Sequence, residues 1–263
     1  MNAPARTGRE TSRSGALRVL RIAGVGVVII LALVAILTAL RTELPRSPGV
    51  MSDALGPESG EPVDDYLARA ADSLDGGIGD SGADGEVVDH DAPRWALVTA
   101  TRAWSVTDAA GVVRELPRVS GLYVQVPVDG VAMPVTGATV AEPVAGESGR
   151  EPVFERGLEQ VGQRLDGPAQ TGPGAAAPPD DARAAALDAL TVSRIRSGEP
   201  AIIGLLVRGT PEQLRAVAGQ PGVRAVEALP ADAVWERFAV RPLQPQQIDV
   251  ALPLPDDAPV PPT

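Results

Sequence analysis

Residues 202–229 read IIGLLVRGTPEQLRAVAGQPGVRAVEAL, and this stretch has the pattern of a complete β-α-β unit. The apolar run 202–208 predicts a buried strand. The motif TPEQ at 210–213 is a capping box with proline at the first helical position, so a helix is expected to begin there. The dipeptide PG at 221–222 ends that helix, and 223–229 predicts a second strand.

A second unit of the same kind lies earlier in the chain. Residues 95–101 (WALVTAT) and 119–126 (VSGLYVQV) predict strands, and a helix is expected to start at Ser105, with Asp108 completing a weaker capping pair. Ser105 aligns with Thr210. One unit alone leaves a face of its sheet bare, so two units are expected to pack together. The sequence therefore predicts an α/β (α+β) fold, a duplicated four-stranded, ferredoxin-like sandwich with both helices on one face.

The folded domain is predicted to span residues 92–240, with a helical insertion at 130–199. Within that insertion, apolar residues recur at helical spacing along 154–165, and a second helix is expected at 182–197. Residues 241–263 carry seven prolines and predict a disordered tail.

Residues 22–40, IAGVGVVIILALVAILTAL, contain no charge and predict a transmembrane helix. Such a helix is about 28 Å long, close to the roughly 30 Å hydrocarbon core of a bilayer. Residues 1–21, the basic cytoplasmic segment, carry a net charge of +4, and the chain beyond the span carries −15. The positive-inside rule therefore places the N-terminus in the cytoplasm and the C-terminal domain outside the cell membrane. A cleaved secretory signal, the competing interpretation, would need a small-x-small cleavage site, and none follows Leu40.

Residues 41–91 predict an acidic tether rich in glycine and proline, in which helical spacing at 63–74 allows one short helix. Residues 80–91, DSGADGEVVDHD, place acidic residues and a glycine at several positions of an EF-hand loop. Gly82 stands at a ligand position without a ligating side chain, and Asp91 is short for bidentate binding. A solvated acidic segment is the favoured interpretation over a calcium site.

Composition excludes several kinds of chemistry. The chain has no cysteine, and its single histidine, His90, lies in the predicted tether, so neither a zinc site nor a Ser-His-Asp triad is expected. A pI near 4.6 argues against nucleic-acid binding. Trp95, Trp104 and Tyr123 are interpreted as core filling rather than a ligand platform. We therefore predict no catalytic, cofactor-binding or metal-binding residues and no cofactor.

The segment GTPEQLRAVAGQPGVRAVEALPAD, residues 209–232, resembles the second half of the subtilisin-propeptide-like (I9-type) inhibitor modules. That half also consists of a strand, a T-P-E-Q-L helix, P-G-V and a second strand. The resemblance implies a ferredoxin-like sandwich and inhibition of an extracytoplasmic serine protease. A similar pattern occurs in other small extracytoplasmic α/β modules, including the outer domain of bacterial cell-division permease-like proteins. This chain departs from the inhibitors by the long insertion between its two units.

Two functions follow as expectations. The first is a non-enzymatic, single-pass domain anchored in the membrane by residues 22–40. It either binds an unidentified envelope protein, through a sheet edge or its proline-rich tail, or has a structural role in the cell envelope. The second is a propeptide-like inhibitor or regulator of an extracytoplasmic serine protease. An enzyme ranks third, because no catalytic set is evident.

Overall fold

The structure is a computed structural model that describes four ranges of the chain, residues 53–75, 91–140, 149–167 and 179–263, with side chains from 182 onward in the last range. The chain divides into two compact units, Met1–Val50 and Met51–Thr263, and the described residues all belong to the second.

The described part of the chain is an α+β structure with five helices and seven strands. The helices are α1 (Val63–Ser73), α2 (Val106–Val112), α3 (Glu151–Leu165), α4 (Pro179–Arg196) and α5 (Pro211–Ala218). The strands are β1 (Ala54–Leu55), β2 (Arg94–Trp104), β3 (Arg118–Val124), β4 (Thr136–Thr139), β5 (Ile202–Gly209), β6 (Val223–Ala228) and β7 (Ala239–Val240).

Five strands form one sheet in the order β4-β3-β5-β2-β6, and every neighbouring pair in it is antiparallel. Strands β1 and β7 pair in parallel in a separate two-stranded sheet. The predicted strands and the two capped helices are confirmed, as are both helices of the insertion. Strand β4, inside the insertion, was not predicted from the sequence.

The main core lies between one face of the five-stranded sheet and the helices α2 to α5. Phe154 of α3, Leu190 of α4 and Leu214 of α5 are fully buried there. Helix α3 lies close to β3, since a Cβ atom added at Gly157 would come within 2.3 Å of the Leu122 Cδ2 atom. Burial of each large apolar side chain contributes about 1.5–3 kcal/mol relative to its exposure, so this layer supplies most of the stability.

The opposite face of the sheet is covered by the chain itself. A second core joins Leu55 of β1 to Trp95, Leu97, Leu206, Leu229 and Phe238. The Trp95 and Trp235 ring centroids are 4.7 Å apart, and Phe238 completes the aromatic group at 6.2 Å from Trp95. Trp235 and Phe238 therefore pack against the sheet.

Helix α1 covers the edge of the sheet at β6. Tyr66 and Ala70 of α1 are fully buried, and the Ala228 N–H donates to the Ser73 hydroxyl at 2.8 Å. The short helix that the spacing at 63–74 allows is confirmed as α1. The prediction of a solvated tether is wrong for residues 53–75, because this segment packs against the rest of the fold. The physical reason is that the apolar face of this helix finds a partner in the exposed strand edge, which would otherwise present unpaired backbone groups. Gly56 fixes a turn here rather than loosening the chain, because an added Cβ would collide with the Arg241 carbonyl oxygen at 1.6 Å.

The prediction of a disordered tail at 241–263 is also wrong. Leu243 is fully buried and Ala251 is nearly so, in a third core that they share with α1. The Ala251 N–H donates to the Glu61 carbonyl at 2.9 Å, and the Ala258 N–H donates to the Gly130 carbonyl at the same distance. Proline lowers the entropy that an extended segment loses on folding, so proline content alone does not prevent docking.

The predicted basic segment, residues 1–21, and the predicted transmembrane helix, residues 22–40, lie outside the described residues, as do the other parts of the predicted tether, 41–52 and 76–90. Within the described ranges, no helix is both long enough and apolar enough to cross a membrane.

Candidate functional site

The aromatic residues considered as a ligand platform lie in two different cores. Trp104 is 3% exposed and belongs to the main core, whereas Trp95 is 4% exposed and faces the opposite side of the sheet. Tyr123 is half-buried and packs against the second core, which contains Trp95. Burial raises the pKa of Tyr123 to about 12. These side chains therefore fill the cores, as predicted.

The candidate metal and catalytic residues of the acidic segment are not placed. His90 and residues 80–90 of the EF-hand-like stretch lie outside the described residues. Among the residues that the structure does describe, no group of three His, Cys, Asp or Glu side chains could hold a metal ion.

A groove between α3 and α4 is the first candidate site. Its volume is about 520 Å³. The lining residues include apolar side chains from α2, α3 and α4 and polar side chains from α3 and α4: Val106, Leu158, Val192, Ile195, Glu155, Glu159, Gln163 and Arg196. We call this surface the helical groove.

The polar side chains of the helical groove are mainly acidic. Glu155 and Glu159 lie one turn apart on α3 and are both exposed, and the Glu159 carboxylate accepts a hydrogen bond from the Gln163 amide at 3.2 Å. Arg196 is already paired with Asp166. Among the described residues no cation pairs with Glu155 or Glu159, so the groove offers apolar side chains beside carboxylates.

An arginine pair on the other face of the sheet is the second candidate site. Arg118 of β3 lies directly opposite Arg208 of β5, and Arg208 lies opposite Trp95 of β2. The guanidinium carbons of Arg118 and Arg208 are 5.4 and 5.5 Å from the centroid of the Trp95 ring. The antiparallel register thus places two cations beside one indole ring.

A third polar cluster joins α1 to β6. The Glu227 carboxylate accepts hydrogen bonds from the Gly56 N–H at 2.5 Å and from the Arg69 guanidinium. Arg69 also contacts Glu61 at 3.0 Å. Burial raises the pKa of Glu227, while the hydrogen bond from Arg69 holds the pKa of Glu61 below its ordinary value. The Glu227 carboxylate attaches residues 53–75 to β6, and the Glu61 carboxylate holds Arg69 within that segment, so we assign this cluster to the fold.

No protein-family model, characterised protein or solved structure matches this chain. The functional interpretation therefore rests on the surfaces of the structure itself.

Sequence reasoning missed both candidate surfaces. Arg118 and Arg208 are ninety residues apart and lie in strands that are not consecutive, so their meeting depends on the strand order. The groove requires the packing of α3 on α4, and the amphipathic pattern of each helix indicates only which face is buried. A usable signal for the pair was that Arg118 immediately precedes the predicted strand 119–126 and that Arg208 ends the predicted strand 202–208.

Proposed function

We propose that this protein is a non-enzymatic, single-pass membrane-anchored domain that binds a protein partner in the cell envelope. Residues 22–40 supply the anchor, and the charge difference across them places the C-terminal domain outside. This assignment is tested by alkaline extraction of membranes. The full chain is expected to stay in the pellet, and a chain lacking 22–40 is expected in the supernatant.

The observation that carries partner binding is the helical groove. Its apolar lining and its volume are typical of a site that receives side chains from a ligand or partner. Helix-in-groove recognition uses such a surface, with apolar anchors in the groove and charged residues at its rim. Because Glu155 and Glu159 make the rim acidic, the partner segment that fits best is an amphipathic helix with basic residues beside its apolar face.

A proline-rich tail is no longer the favoured contact surface, because the C-terminal segment packs on the fold. The edge at β6 is likewise covered by α1. These two observations direct the proposal to the groove rather than to the tail or that strand edge.

The experiment compares partner capture from a solubilised envelope by three forms of the full chain. Glu155→Arg reverses an exposed rim charge, and Asp232→Arg makes the same change in an exposed loop elsewhere. A partner bound through the groove is captured by the wild type and by Asp232→Arg, and about tenfold less by Glu155→Arg. Equal capture of every envelope protein by all three forms would contradict the proposal.

We further infer that the domain has a ferredoxin-like fold built from two β-α-β units. The strand order β6-β2-β5-β3 supports this, because it is the order in which two such units interleave. Ser105 and Thr210 each begin the helix of their unit with a capping box, and both helices contribute to the main core. A solved structure in which the helices of the two units, α2 and α5, lie on opposite faces of the sheet would refute the inference.

The alternative function is a propeptide-like inhibitor of an extracytoplasmic serine protease. It is favoured by one observation: the segment that resembles the inhibitor modules, 209–232, spans helix α5 and strand β6 in the order that the resemblance implies. Residues 51–263, the compact unit, are expected to slow a subtilisin-like protease at micromolar concentration if this alternative holds. Digestion of the fragment without any slowing of the protease would remove it.

A further inference from the structure

Exposed apolar side chains are concentrated in one short segment near the C-terminus. The described residues leave four large apolar side chains exposed, and three of these lie within five consecutive positions. Ile248 is 73% exposed, Leu252 is 52% exposed and Val250 is 37% exposed. The fourth, Val234, lies in a different loop. Single exposed apolar side chains are common on protein surfaces, whereas a cluster of them indicates an interaction site.

Hydrogen bonds fix residues 248–252, which we call the apolar segment. The Leu252 N–H donates to the Val250 carbonyl at 2.9 Å, and the Gln247 amide donates to the Leu252 carbonyl at 2.8 Å. Ala251 is buried in the third core. The exposed side chains therefore project from an ordered backbone, so binding does not require the segment to lose further backbone entropy.

The apolar segment is attached to the N-terminal part of the described unit. The Ala251 N–H donates to the Glu61 carbonyl at 2.9 Å. The Val63 N–H donates to the Asp249 carbonyl at the same distance. The segment therefore lies beside the first described part of the chain, which follows the predicted transmembrane helix in sequence.

The chain between that helix and the described unit is short. Residues 41–52 are twelve residues, and a chain of that length spans at most about 43 Å when fully extended. With residues 22–40 in the membrane, Asp53 stays within that distance of the bilayer. Such a tether raises the effective concentration of the domain at the lipid surface. A contact too weak to bind a free domain to a membrane is therefore populated in an anchored one.

The charges of the domain do not favour this contact. Asp249 is exposed within the apolar segment, and the chain beyond residues 22–40 carries a net charge of −15. Anionic lipid headgroups repel such a surface. The favourable contribution comes instead from apolar side chains that leave water at the boundary between headgroups and acyl chains.

We propose that the apolar segment inserts into the surface of the bilayer that holds the transmembrane helix, as a second membrane contact that orients the domain. Ile248 and Leu252, the most exposed of the three apolar side chains, enter the lipid. This inference rests on the membrane anchor proposed for residues 22–40. It does not depend on the helical groove, because no residue of the apolar segment lines that groove.

The test uses single-cysteine variants of the full chain, whose own sequence contains no cysteine. Ile248→Cys and Leu252→Cys are labelled with the fluorophore NBD and reconstituted into phosphatidylcholine vesicles, with or without a nitroxide-labelled phosphatidylcholine as quencher. We expect a blue-shifted emission and about a twofold loss of fluorescence with the quencher. Val234→Cys, at an exposed apolar position in another loop, is the matched control and should keep its fluorescence.

A second set of variants removes the apolar side chains while the reporter stays in place. With NBD at Val250→Cys, the added double substitution Ile248→Asp/Leu252→Asp should abolish the quenching, because carboxylates do not enter the lipid. All of these positions are exposed, so the substitutions should leave the fold intact. Replacement of roughly a third of the lipid by phosphatidylglycerol should weaken the quenching at Ile248→Cys.

Three results would overturn the proposal. The first is equal quenching of the reporters at Ile248→Cys and Val234→Cys. The second is a blue shift without quenching, which would show that a second copy of the chain covers the segment. The third is unchanged quenching in the double aspartate variant. Failure of the anchor is recognised separately, because alkaline extraction would then remove the chain from the vesicles.

Discussion

Glu227 shows how a single buried carboxylate is tolerated at the sheet edge. Its side chain is 5% exposed, and it is held by the Gly56 N–H and by Arg69, whose side chain is 45% exposed. The Tyr66 hydroxyl is buried nearby, and desolvation first, then the charge of Glu227, raise the Tyr66 pKa. The anion therefore depends on Arg69 for its compensation, since isolated buried charges are costly.

Replacement of Arg69 by methionine leaves that carboxylate without its cation. Removal of one partner of a fully buried ion pair lowers the free energy of unfolding by about 3–5 kcal/mol. Because Arg69 is partly exposed, we expect Arg69→Met to lower it by about 2–3 kcal/mol. Chemical denaturation measures the difference. The double variant Arg69→Met/Glu227→Gln should recover part of the loss, and a double variant no more stable than Arg69→Met would contradict this account.

Glu61 gives a pH-dependent prediction of defined sign. The hydrogen bond from Arg69 is the main cause that lowers the pKa of Glu61 below 4.5 in the folded state. A lowered folded-state pKa contributes stability above the unfolded value, and this stability is lost as the pH falls through the folded value. Glu61→Gln should therefore lower the melting temperature at pH 7, and the difference should shrink as the pH falls below 4.5. A difference that persists unchanged at pH 3 would exclude this origin.

At the scale of the elements, two short helices begin at the residues that the sequence marks. The Thr210 hydroxyl accepts from the Gln213 N–H at 3.3 Å, and the Gln213 side chain accepts from the Thr210 N–H at 3.0 Å. Ser105 and Asp108 make the corresponding pair of contacts at α2. Helices of seven and eight residues are too short to be stable alone, so their caps and their packing decide that they form.

Thr210→Ala is expected to cost about 1 kcal/mol of folding stability, since it leaves a backbone donor of α5 without its acceptor. Thr107→Ala is the matched control, because Thr107 is an exposed threonine within α2 with no capping role. It should be neutral or slightly stabilising, given the helix propensity of alanine. Urea denaturation of both variants measures the two effects, and equal losses would show that the cap is not responsible.

At the scale of the whole molecule, the N-terminal part of the described unit, residues 53–75, is hydrogen-bonded to its C-terminal part, residues 239–263. Strand β1 pairs with β7, and the Val63 N–H donates to the Asp249 carbonyl at 2.9 Å. Arg183 of α4 pairs with Asp256 near the C-terminus, and this ion pair lowers the Asp256 pKa. The C-terminal segment is therefore part of the domain, and a fragment that ends at residue 240 would expose α1 and the third core.

Leu243→Ala tests that conclusion. Leu243 is fully buried, so its truncation is expected to cost about 2–5 kcal/mol. Leu252→Ala, nine residues on in the same segment, removes a side chain that is 52% exposed and should cost less than about 0.5 kcal/mol. Thermal denaturation compares the two, and a Leu243→Ala variant as stable as Leu252→Ala would mean that the segment is not docked.

Much of the fold could be predicted because its signals are local. Apolar runs mark β2 and β5, capping boxes mark α2 and α5, and both helices of the insertion carry recognisable spacing. The docking of residues 53–75 and 241–263 could not be predicted. Glycine and proline content indicates only whether an isolated segment forms a helix or a strand, not whether it packs against other parts of the chain. Burial of Tyr66 and Leu243 depends on surfaces that other parts of the chain supply.

The sequence by itself determined the strands β2, β3, β5 and β6, the helices α2 to α5 and the strong charge asymmetry around residues 22–40. These follow from hydrophobic periodicity, backbone caps and net charge along a continuous stretch. Only the tertiary structure decided that α1 closes the edge at β6, that α3 and α4 leave a groove, and that Arg118 meets Arg208 beside Trp95. The physical reason is that strand order and register bring together residues far apart in the chain. Local propensity does not encode those pairings.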